Sequence, residues 1–358
     1  MDEVQPVKLG GTLKVPNVQE LAKKPLSEIP PRYAHPGQEP AANGDPHAEE
    51  VPIIDFRRLL SDQFSDSELL KLHAACADWG FFQCFVKMVG HGVSEELLEK
   101  LKIEIHEFFS LPREEKERYV QLPDDVEGYG QAFVVSEEQK LDWADMFYMI
   151  TLPVSMRKPH LLPKLPPSLR EAIEEYSLEL KSLSMKLLEL LSMSLKMDSE
   201  EFKNMFEEGI QSMRFNYYPP CPQPDLAIGF TPHSDPDGFT ILLQINDKEG
   251  LEIRKDGKWV SVKPISNAFV VNIGDVLEIA SNGAYRSIEH RGVVNSEKER
   301  LSLATFFLPR IDGEIGPATS IVTPENPAKF NKISHVEFLK GFYAKELNGK
   351  SQLEILRI

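Results

Sequence analysis

The chain has 358 residues, which at roughly 150 residues per domain allows about two domains or one large β-barrel with added helices. Apolar residues make up 41% and charged residues 27% of the sequence, as in ordinary globular proteins, which excludes a disordered chain, collagen and a coiled coil. The 56 acidic residues outnumber the 40 basic ones, and the net charge of −16 opposes binding to nucleic acid or anionic membranes.

The amino-terminal residues predict a cytoplasmic protein. They show neither the basic start and apolar run of a signal peptide nor the arginine-rich pattern of a transit peptide. No apolar run reaches the roughly 18 residues that cross a membrane. The cysteines Cys76, Cys84 and Cys221 form no CxxC pair, which excludes a disulfide framework and a thiolate zinc site and fits a reducing compartment.

Helical signals follow a proline-rich start. Residues 1–52 combine many prolines with few large apolar side chains, which predicts an extended tether outside the core. Residues 53–205 are expected to be largely helical. There, a capping box of Ser65 and Glu68 predicts a helix that Gly80 ends, and Ser94 starts a second helix through Phe109.

The clearest helix is predicted from about Ser168, capped with Glu171, to Leu195. Apolar side chains recur there at steps of three and four residues, so one face must pack on a large surface. They are Leu169, Ile173, Tyr176, Leu180, Leu183, Leu187 and Leu190.

The hydrophobic period changes from Gln211 onward to two, the period of β-strands. Short strands without intervening helices predict an α+β fold with a mostly β core, a double-stranded β-helix or jelly roll, over residues 206–312. Residues 313–358 are expected to pack on this barrel through a helix at about 335–347. The Asp256-Gly257 dipeptide predicts a hairpin turn. The strands are predicted at MRFNYY, FTILLQI, LEIRK, KWVSVK, FVVNI, VLEIA, SIEHRGVV and RLSLATFF.

Three polar pairs with a spacing of two residues lie in this β-rich half. Residues i and i+2 of a strand share a face, and one face of every barrel strand points inward, so these pairs can converge in the interior. The pairs are Asn216 with Tyr218, His233 with Asp235, and Arg300 with Ser302.

One pair offers an imidazole and a carboxylate to a metal ion, and His290 can supply a third ligand. Two histidines and one carboxylate leave three positions of an octahedron open, as in non-haem Fe(II) oxygenases. Zinc also accepts these ligands, but a zinc hydrolase would need a general base nearby and has no use for Arg300. The planar guanidinium of Arg300, with the hydroxyl of Ser302, suits the carboxylate of an organic diacid. If that diacid is 2-oxoglutarate, its 2-oxo acid end chelates the iron while Arg300, Ser302 and Tyr218 hold the far carboxylate.

Several motifs together resemble the plant 2-oxoglutarate- and Fe(II)-dependent dioxygenases over nearly the whole chain. EGYGQAF, LDWADMF and GKSQLEILRI are most similar to the branch that contains norcoclaurine synthase-like and codeine or thebaine O-demethylase-like enzymes. The other motifs are VPIIDF, ADWGFFQ, NYYPPCPQP, HSD, NIGDVLEIASNG, IEHRGVVN and ERLSLATFF.

The resemblance implies a catalytic iron centre held by His233, Asp235 and His290. It also implies 2-oxoglutarate as cosubstrate, ascorbate as reductant, and dioxygen and a small molecule as the other reactants. The implied 2-oxoglutarate contacts are Arg300, Ser302, Tyr218 and Asn216. Tyr129, Phe133 and Phe306 fall in motifs that border the family's substrate cavity, and Arg214 is either a substrate contact or a charge at the rim.

Two features depart from the family pattern. Four extra residues follow Gln83 before Gly90-His91-Gly92, where relatives have NHG, which indicates a bulge or loop that leaves the iron site unchanged, or a gene-model error. Phe307-Leu308 replaces a polar pair common in relatives and predicts a more apolar pocket rim.

The function expected from the sequence is hydroxylation or O-demethylation of a small, largely apolar plant metabolite such as an alkaloid, phenylpropanoid or hormone, with release of succinate and carbon dioxide. A non-oxidative condensing enzyme of the norcoclaurine synthase type and an inactive binding protein on the same scaffold remain the alternatives. A monomer without nucleic-acid or membrane partners is expected.

Overall fold

The computed structural model describes residues 10–42, 49–61, 65–85 and 93–358. Its strands are β1 Ile53–Asp55, β2 Phe81–Phe85, β3 Gly128–Gly130, β4 Asp145–Leu152, β5 Ile210–Tyr218, β6 Phe230–His233, β7 Phe239–Gln244, β8 Leu251–Lys255, β9 Lys258–Ser261, β10 Ala268–Ile273, β11 His290–Gly292, β12 Arg300–Leu308, β13 Glu314–Ile315 and β14 Ile333–Ser334. Its α-helices are α1 Val18–Ala22, α2 Phe56–Leu59, α3 Ser65–Ala74, α4 Glu95–Ser110, α5 Arg113–Lys116, α6 Pro167–Ser194, α7 Glu200–Phe206, α8 Asp275–Ala280, α9 His335–Tyr343 and α10 Ser351–Glu354.

Two sheets form the barrel. Within the described residues, the larger sheet has the order β1-β2-β10-β7-β12-β5-β4-β3 and the smaller one the order β6-β11-β8-β9. Ile241 and Leu303 of the larger sheet share one hydrophobic core with Ile253 of the smaller sheet. The predicted jelly roll is therefore confirmed, as is the hairpin at Asp256-Gly257, whose φ angles of 48° and 79° are those of a turn that needs positive φ.

The segment VLEIA is a helix, so its prediction as a strand was wrong. Gly274 precedes α8, and all six residues of this helix are buried, including the acidic Asp275 and Glu278. A five-residue segment in which every residue is buried has no burial period that separates helix from strand. The opposite error concerns β6, a strand that was not predicted because Pro232 and neighbouring polar residues interrupt its alternation.

The region 53–205 contributes strands as well as helices. It supplies β1 and β2 at one edge of the larger sheet and β3 and β4 at the other, so the β-structure is not confined to residues 206–312. The predicted helix after Ser94 is confirmed, because α4 begins at Glu95 and the Ser94 Oγ accepts a hydrogen bond from the Leu97 N–H at 3.1 Å.

The long helix α6 buries the predicted apolar stripe along its length. It begins at Pro167 rather than with a cap at Ser168, since proline fixes a helical φ at the first position. The predicted Ser65–Glu68 capping box was also wrong, because Glu68 accepts a hydrogen bond from the Asp55 N–H at 3.0 Å and thereby ties α3 to β1. None of the helices in the described ranges is both long and apolar enough to cross a membrane.

The helical run that starts with α3 ends at Gly80, as predicted. Gly80 has φ of +61°, and a Cβ there would lie 2.2 Å from the Arg286 carbonyl oxygen, so a larger residue does not fit. From Phe81 to Phe85, β2 pairs regularly with β1 and β10. The extra residues predicted to bulge lie almost wholly in 86–92, outside the described residues.

The amino-terminal segment is part of the folded body. Val18, Ile29 and Tyr33 are buried in a second core with Trp143, whose ring meets that of Tyr33 edge-on at 5.4 Å. The two carboxylate oxygens of Asp145 accept hydrogen bonds from the Val18 and Gln19 N–H groups at 2.9 and 2.7 Å. The prediction of a tether outside the core was therefore wrong for the described part of this segment, where a few large apolar side chains suffice to anchor it.

Helix α9 begins at His335, where the sequence predicts a helix, and its Phe338 and Leu339 belong to the main hydrophobic core. Its first residue is expected to make the stability of the fold depend on pH. His335 is fully buried; its Nδ1 lies 2.9 Å from the Arg310 carbonyl oxygen, and its Nε2 has no hydrogen-bond partner within the described structure. Burial lowers the pKa of His335 below its ordinary value. The stability that depends on neutral His335 is therefore present above the unfolded-state pKa and is lost as the pH falls through the folded-state pKa.

We expect the free energy of unfolding of the metal-free protein to fall less between pH 7.5 and pH 5 in His335→Phe than in the parent. Phenylalanine fills the same space and cannot take up a proton, although loss of the hydrogen bond to Arg310 costs about 1 kcal/mol at pH 7.5. Urea unfolding at several pH values measures both slopes. Equal slopes in the two proteins would show that His335 does not carry this dependence.

Candidate active site

His233, Asp235 and His290 meet inside the barrel. His233 ends β6, His290 begins β11, and the antiparallel register pairs the two residues directly. The His233 and His290 Nε2 atoms lie 3.4 and 3.8 Å from Asp235 Oδ1, and one ligand atom from each residue lies within 4.8 Å of the others. All three side chains are buried. The spatial convergence that the sequence predicted is thus present.

Backbone carbonyls orient both imidazoles. The Nδ1 of His233 lies 2.8 Å from the Thr231 carbonyl oxygen, and the Nδ1 of His290 lies 3.2 Å from the Ile288 carbonyl oxygen. A carbonyl can only accept, so each Nδ1 carries the proton and each Nε2 presents a lone pair to the centre of the cluster.

Two neighbouring side chains orient the carboxylate. Thr240 Oγ1 and Asn272 Nδ2 donate hydrogen bonds to Asp235 Oδ2 at 2.6 and 2.8 Å. The other oxygen, Oδ1, faces the two imidazoles. Thr240 and Asn272 were not among the predicted site residues, although both are polar residues on predicted strands.

The protonation states suit a metal ion. Burial alone raises the pKa of Asp235, but His290, His233 and Thr240 outweigh burial and hold that pKa well below its ordinary value. Burial and the nearby His233 lower the pKa of His290 to about 4. At neutral pH the cluster therefore offers a carboxylate and a neutral His290 imidazole. His233 Nε2 is buried without a hydrogen-bond partner in the described structure, so these donors fit ferrous iron.

The predicted cosubstrate residues line the same pocket as the metal cluster. Strands β5 and β12 pair antiparallel, with Tyr218 opposite Arg300 and Asn216 opposite Ser302. Asn216 Nδ2 donates a hydrogen bond to Ser302 Oγ at 3.2 Å. The two predicted pairs therefore form one patch on the inner face of the larger sheet.

Arg300 is a buried cation without an acidic partner in the described structure. Its side chain is 3% exposed, its Nε has no hydrogen-bond partner, and its contact with Gln244 Oε1 is long at 3.4 Å. Its guanidinium lies 5.2 Å from the centre of the Tyr218 ring. Burying an unpaired charge is costly, so this guanidinium is suited to an anion that enters the pocket.

Two of the predicted substrate residues border this pocket. Phe306 lines it, and Arg214 is half-buried with its guanidinium 4.3 Å from the Phe230 ring centre and 5.2 Å from that of Phe306. Phe230 in turn meets the His233 ring edge-on at 4.4 Å. Phe230 was not predicted, and it belongs to the strand that the sequence analysis missed.

The other two predicted substrate residues lie farther out. Phe133 packs on Phe230 at 6.4 Å and stacks on Tyr343 of α9 at 5.6 Å, one layer away from the metal cluster. Tyr129 is not at the pocket: it packs on Phe108 and hydrogen-bonds Asn17 of the amino-terminal segment. The Gly128–Gly130 strand turns this ring into the core of the region 53–205, which the motif alone does not reveal.

The prediction of a more apolar rim from Phe307-Leu308 was wrong. Phe307 stacks on Phe239 at 4.8 Å and belongs to the hydrophobic core, not to the pocket that contains the metal cluster. Alternation along β12 explains the position of Phe307, because Phe306 faces the pocket and its neighbour therefore faces the opposite side. Leu308, the last residue of β12, is buried and lines a different cavity with Phe206 and Gln211.

A jelly roll with a buried His-Asp-His cluster defines the class of non-haem iron oxygenases. The 2OG-Fe(II) oxygenase superfamily matches residues 209–309, and the amino-terminal domain described as "non-haem dioxygenase in morphine synthesis N-terminal" matches residues 51–168. The chain belongs to the 2OG-Fe(II) oxygenase superfamily. It is accordingly an enzyme that uses Fe(II) and 2-oxoglutarate, with ascorbate as the reductant typical of this family.

Similar proteins cover nearly the whole chain. The oxoglutarate-dependent flavonoid 7-O-demethylase 1 of Ocimum basilicum is 51% identical over 98% of this chain and 93% of its own length. Codeine O-demethylase of Papaver somniferum and S-norcoclaurine synthase 1 of Coptis japonica are 49% and 45% identical, each over 98% of both chains. The crystal structure of JOX2 in complex with 2OG, Fe and JA matches with a TM-score of 0.87 and 39% identity over 96% of this chain and 98% of that one. The predicted resemblance is therefore confirmed.

Proposed function

We propose that the protein hydroxylates or O-demethylates a small, largely apolar plant specialised metabolite. The observation that carries the proposal is the occurrence, in one buried pocket, of the three-residue metal cluster and an arginine without an acidic partner in the described structure. The metal cluster can bind a cation and Arg300 can bind an anion in the same pocket, which suits a ferrous ion and a dicarboxylate bound together.

His233, Asp235 and His290 are assigned as the iron ligands. The two imidazoles are aimed by backbone carbonyls and the carboxylate by Thr240 and Asn272, so the ligands need little rearrangement when the metal binds. Bound Fe(II) and 2-oxoglutarate supply the oxidising chemistry: one oxygen atom of dioxygen goes to the substrate and the other to succinate, and carbon dioxide is released.

Arg300, Ser302, Tyr218 and Asn216 are assigned to hold 2-oxoglutarate. The guanidinium can make two parallel hydrogen bonds to the carboxylate at the far end of the molecule, and the Ser302 hydroxyl adds a donor. Asn216 holds Ser302 by its hydrogen bond of 3.2 Å, and the Tyr218 ring covers the guanidinium. These residues fix the orientation of the cosubstrate.

The substrate is assigned to the side of the pocket near Phe306 and Arg214. Arg214 also borders a second, mostly apolar space of about 30 Å³ with Phe133, Tyr148 and Tyr343, so the side chains around Arg214 that face a bound substrate are largely apolar. Apolar walls keep water from the reacting carbon. The carbon held next to the metal decides the product: a ring or chain carbon gives an alcohol, and an O-methyl carbon gives a hemiacetal that loses formaldehyde.

Relatives support this range of substrates. Two of the similar proteins are named as O-demethylases, one for a flavonoid and one for codeine. The S-norcoclaurine synthase relative keeps the non-oxidative condensing reaction as the alternative. The metal cluster and an arginine that none of the described acidic residues pairs with favour the oxygenase, because a condensation by acid–base chemistry needs no 2-oxoglutarate.

A substrate panel tests the proposal. The holoenzyme is incubated in air with Fe(II), ascorbate, 2-oxoglutarate and flavonoid, alkaloid and phenylpropanoid candidates, with and without methoxy groups, followed by mass spectrometry. We expect a gain of one oxygen or a loss of one methylene, with one succinate formed per product and formaldehyde formed only in the second case. Product formed equally well without dioxygen and 2-oxoglutarate would favour the condensing enzyme and contradict the proposal.

A further inference from the structure

Asp142 lies in the loop before β4, far in sequence from the metal cluster, and is hydrogen-bonded to the strand that carries His233. Asp142 Oδ1 accepts hydrogen bonds from the Thr231 Oγ1–H at 2.6 Å and the Thr231 N–H at 3.2 Å. The Thr231 carbonyl in turn accepts the hydrogen bond from His233 Nδ1 at 2.8 Å. A continuous chain of hydrogen bonds therefore runs from a carboxylate of the region 53–205 to a candidate iron ligand.

The frame around Asp142 is fixed on both sides. The Leu141 N–H donates to the Arg32 carbonyl at 2.9 Å, and the Trp143 N–H donates to the Ile228 carbonyl at 2.7 Å. The Trp143 side chain is fully buried. The carboxylate between these two anchored residues has little freedom to move relative to β6.

Asp142 supplies Thr231 with the hydrogen-bond acceptor that a neighbouring strand would otherwise provide. On its other side β6 pairs with β11, and Pro232, the next residue of β6, has no N–H to anchor the strand. The Pro232 carbonyl accepts a hydrogen bond from the Gly349 N–H at 3.1 Å, which anchors the strand after Thr231. The two hydrogen bonds from Thr231 to Asp142 anchor it before Pro232 and hold the residue whose carbonyl contacts His233. The matching carbonyl for His290 belongs to Ile288, whose aliphatic side chain offers no such anchor.

We propose that Asp142 is a positioning residue for His233: by fixing Thr231, it sets the orientation of the imidazole and so the affinity of the site for iron. This inference rests on the proposed metal assignment. Partners that orient a metal-binding histidine typically change metal affinity by about 10- to 100-fold when removed.

The surroundings indicate that the fold tolerates loss of this carboxylate. Asp142 and Thr231 both border a cavity of about 200 Å³ that His35 and Glu346 also line. Water can enter such a polar space and satisfy the Thr231 N–H and hydroxyl when the carboxylate is absent. Water would restore the hydrogen bonds without restoring the fixed position of the strand.

The test measures metal binding to the metal-free full-length protein, by anaerobic calorimetric titration with Fe(II) and by the visible absorption of bound Co(II). We expect Asp142→Ala to weaken Fe(II) binding by about 10-fold or more and to change the Co(II) spectrum, with an unchanged melting temperature before metal is added. Asp142→Asn, which retains an oxygen acceptor for Thr231, is expected to stay within about 3-fold of the parent. Glu138→Ala, at an exposed acidic residue of the same loop, is the matched control.

The inference is overturned if Asp142→Ala melts like the parent and binds Fe(II) as tightly, or if Asp142→Asn is as weak as Asp142→Ala. If Asp142→Ala does not fold, Thr231→Val is tested instead, because it removes only the shorter of the two hydrogen bonds. We expect this variant to bind Fe(II) more weakly than the parent. Parental affinity in Thr231→Val overturns the inference. Failure of the proposed function looks different, because the parent itself would then not bind Fe(II) or would bind it equally well in an Asp235→Ala variant.

Discussion

Replacing Asp235 with alanine is expected to abolish 2-oxoglutarate turnover and to weaken Fe(II) binding by more than about 100-fold, since outer partners of metal ligands alone account for about 10- to 100-fold. The variant loses the negatively charged donor of the cluster and leaves two histidines that cannot hold the ion in a fixed geometry. It also removes the acceptor of Thr240 and Asn272. Calorimetric titration of the metal-free protein and succinate formation under air measure the two effects.

The matched control is Asp225→Ala, which removes an exposed aspartate close to β6 in sequence. It should bind Fe(II) and turn over like the parent. The melting temperature of each metal-free variant separates loss of a ligand from loss of the fold. Parental iron affinity and turnover in Asp235→Ala would refute the assignment of the iron ligands.

The candidate site could be predicted from sequence where its geometry is local. Residues i and i+2 share a strand face whatever the rest of the fold does, so Asn216 with Tyr218 and Arg300 with Ser302 were correctly placed as inward pairs. Asp235 does meet His233 as predicted, but β6 ends at His233, so strand alternation is not the reason. The same rule applied to β10 and β7 would have found Asn272 and Thr240, since each is a polar residue within a buried strand.

Residues whose position depends on contacts distant in sequence could not be predicted. Thr231 meets Asp142, 89 residues away, through a loop that no periodic pattern describes. Tyr129 shares a motif with Phe133, but the short strand β3 turns its ring toward Phe108 in the core of the region 53–205. A shared motif shows that two residues are close in sequence. The direction of each side chain is set by the sheet that its residue joins.

The elements of the fold were also predicted correctly where the sequence signal is local and missed where it depends on distant contacts. Alternation and helical periodicity identified most strands of the barrel, α4 and α6, because each is long enough to show a period. The segment VLEIA was misassigned because its four apolar residues and Glu278 are all buried and fit either period. The anchoring of Val18 and Gln19 by Asp145 depends on a contact between residues more than one hundred positions apart, which a proline-rich composition hides.

The two charged groups of the pocket, Asp235 and Arg300, differ in how well the protein itself satisfies them. Asp235 Oδ2 accepts hydrogen bonds from Thr240 and Asn272, whereas Arg300 contacts Gln244 and Tyr218 and has no acidic partner among the described residues. A buried charge without a partner costs the folded protein energy until an anion arrives. If Arg300 binds the cosubstrate as proposed, part of the binding free energy comes from pairing this buried charge.

We therefore expect Arg300→Met to raise the KM for 2-oxoglutarate by about 30-fold or more, since truncating one partner of a buried charge pair costs about 2 kcal/mol or more and each 1.4 kcal/mol is tenfold. The melting temperature of the cosubstrate-free protein should stay level or rise, because methionine fills similar space without a buried charge. Steady-state kinetics and thermal unfolding with and without 2-oxoglutarate measure both effects.

Two further variants sharpen this expectation. Arg300→Lys keeps the charge but not the planar fork, so its KM should lie between those of the parent and Arg300→Met. Arg310→Met removes an exposed arginine just beyond the same strand, paired with Glu208 and Asp312, and should leave KM unchanged. A lower melting temperature together with an unchanged KM in Arg300→Met would assign Arg300 to the fold instead of to the cosubstrate, because only a structural cation stabilises the empty protein.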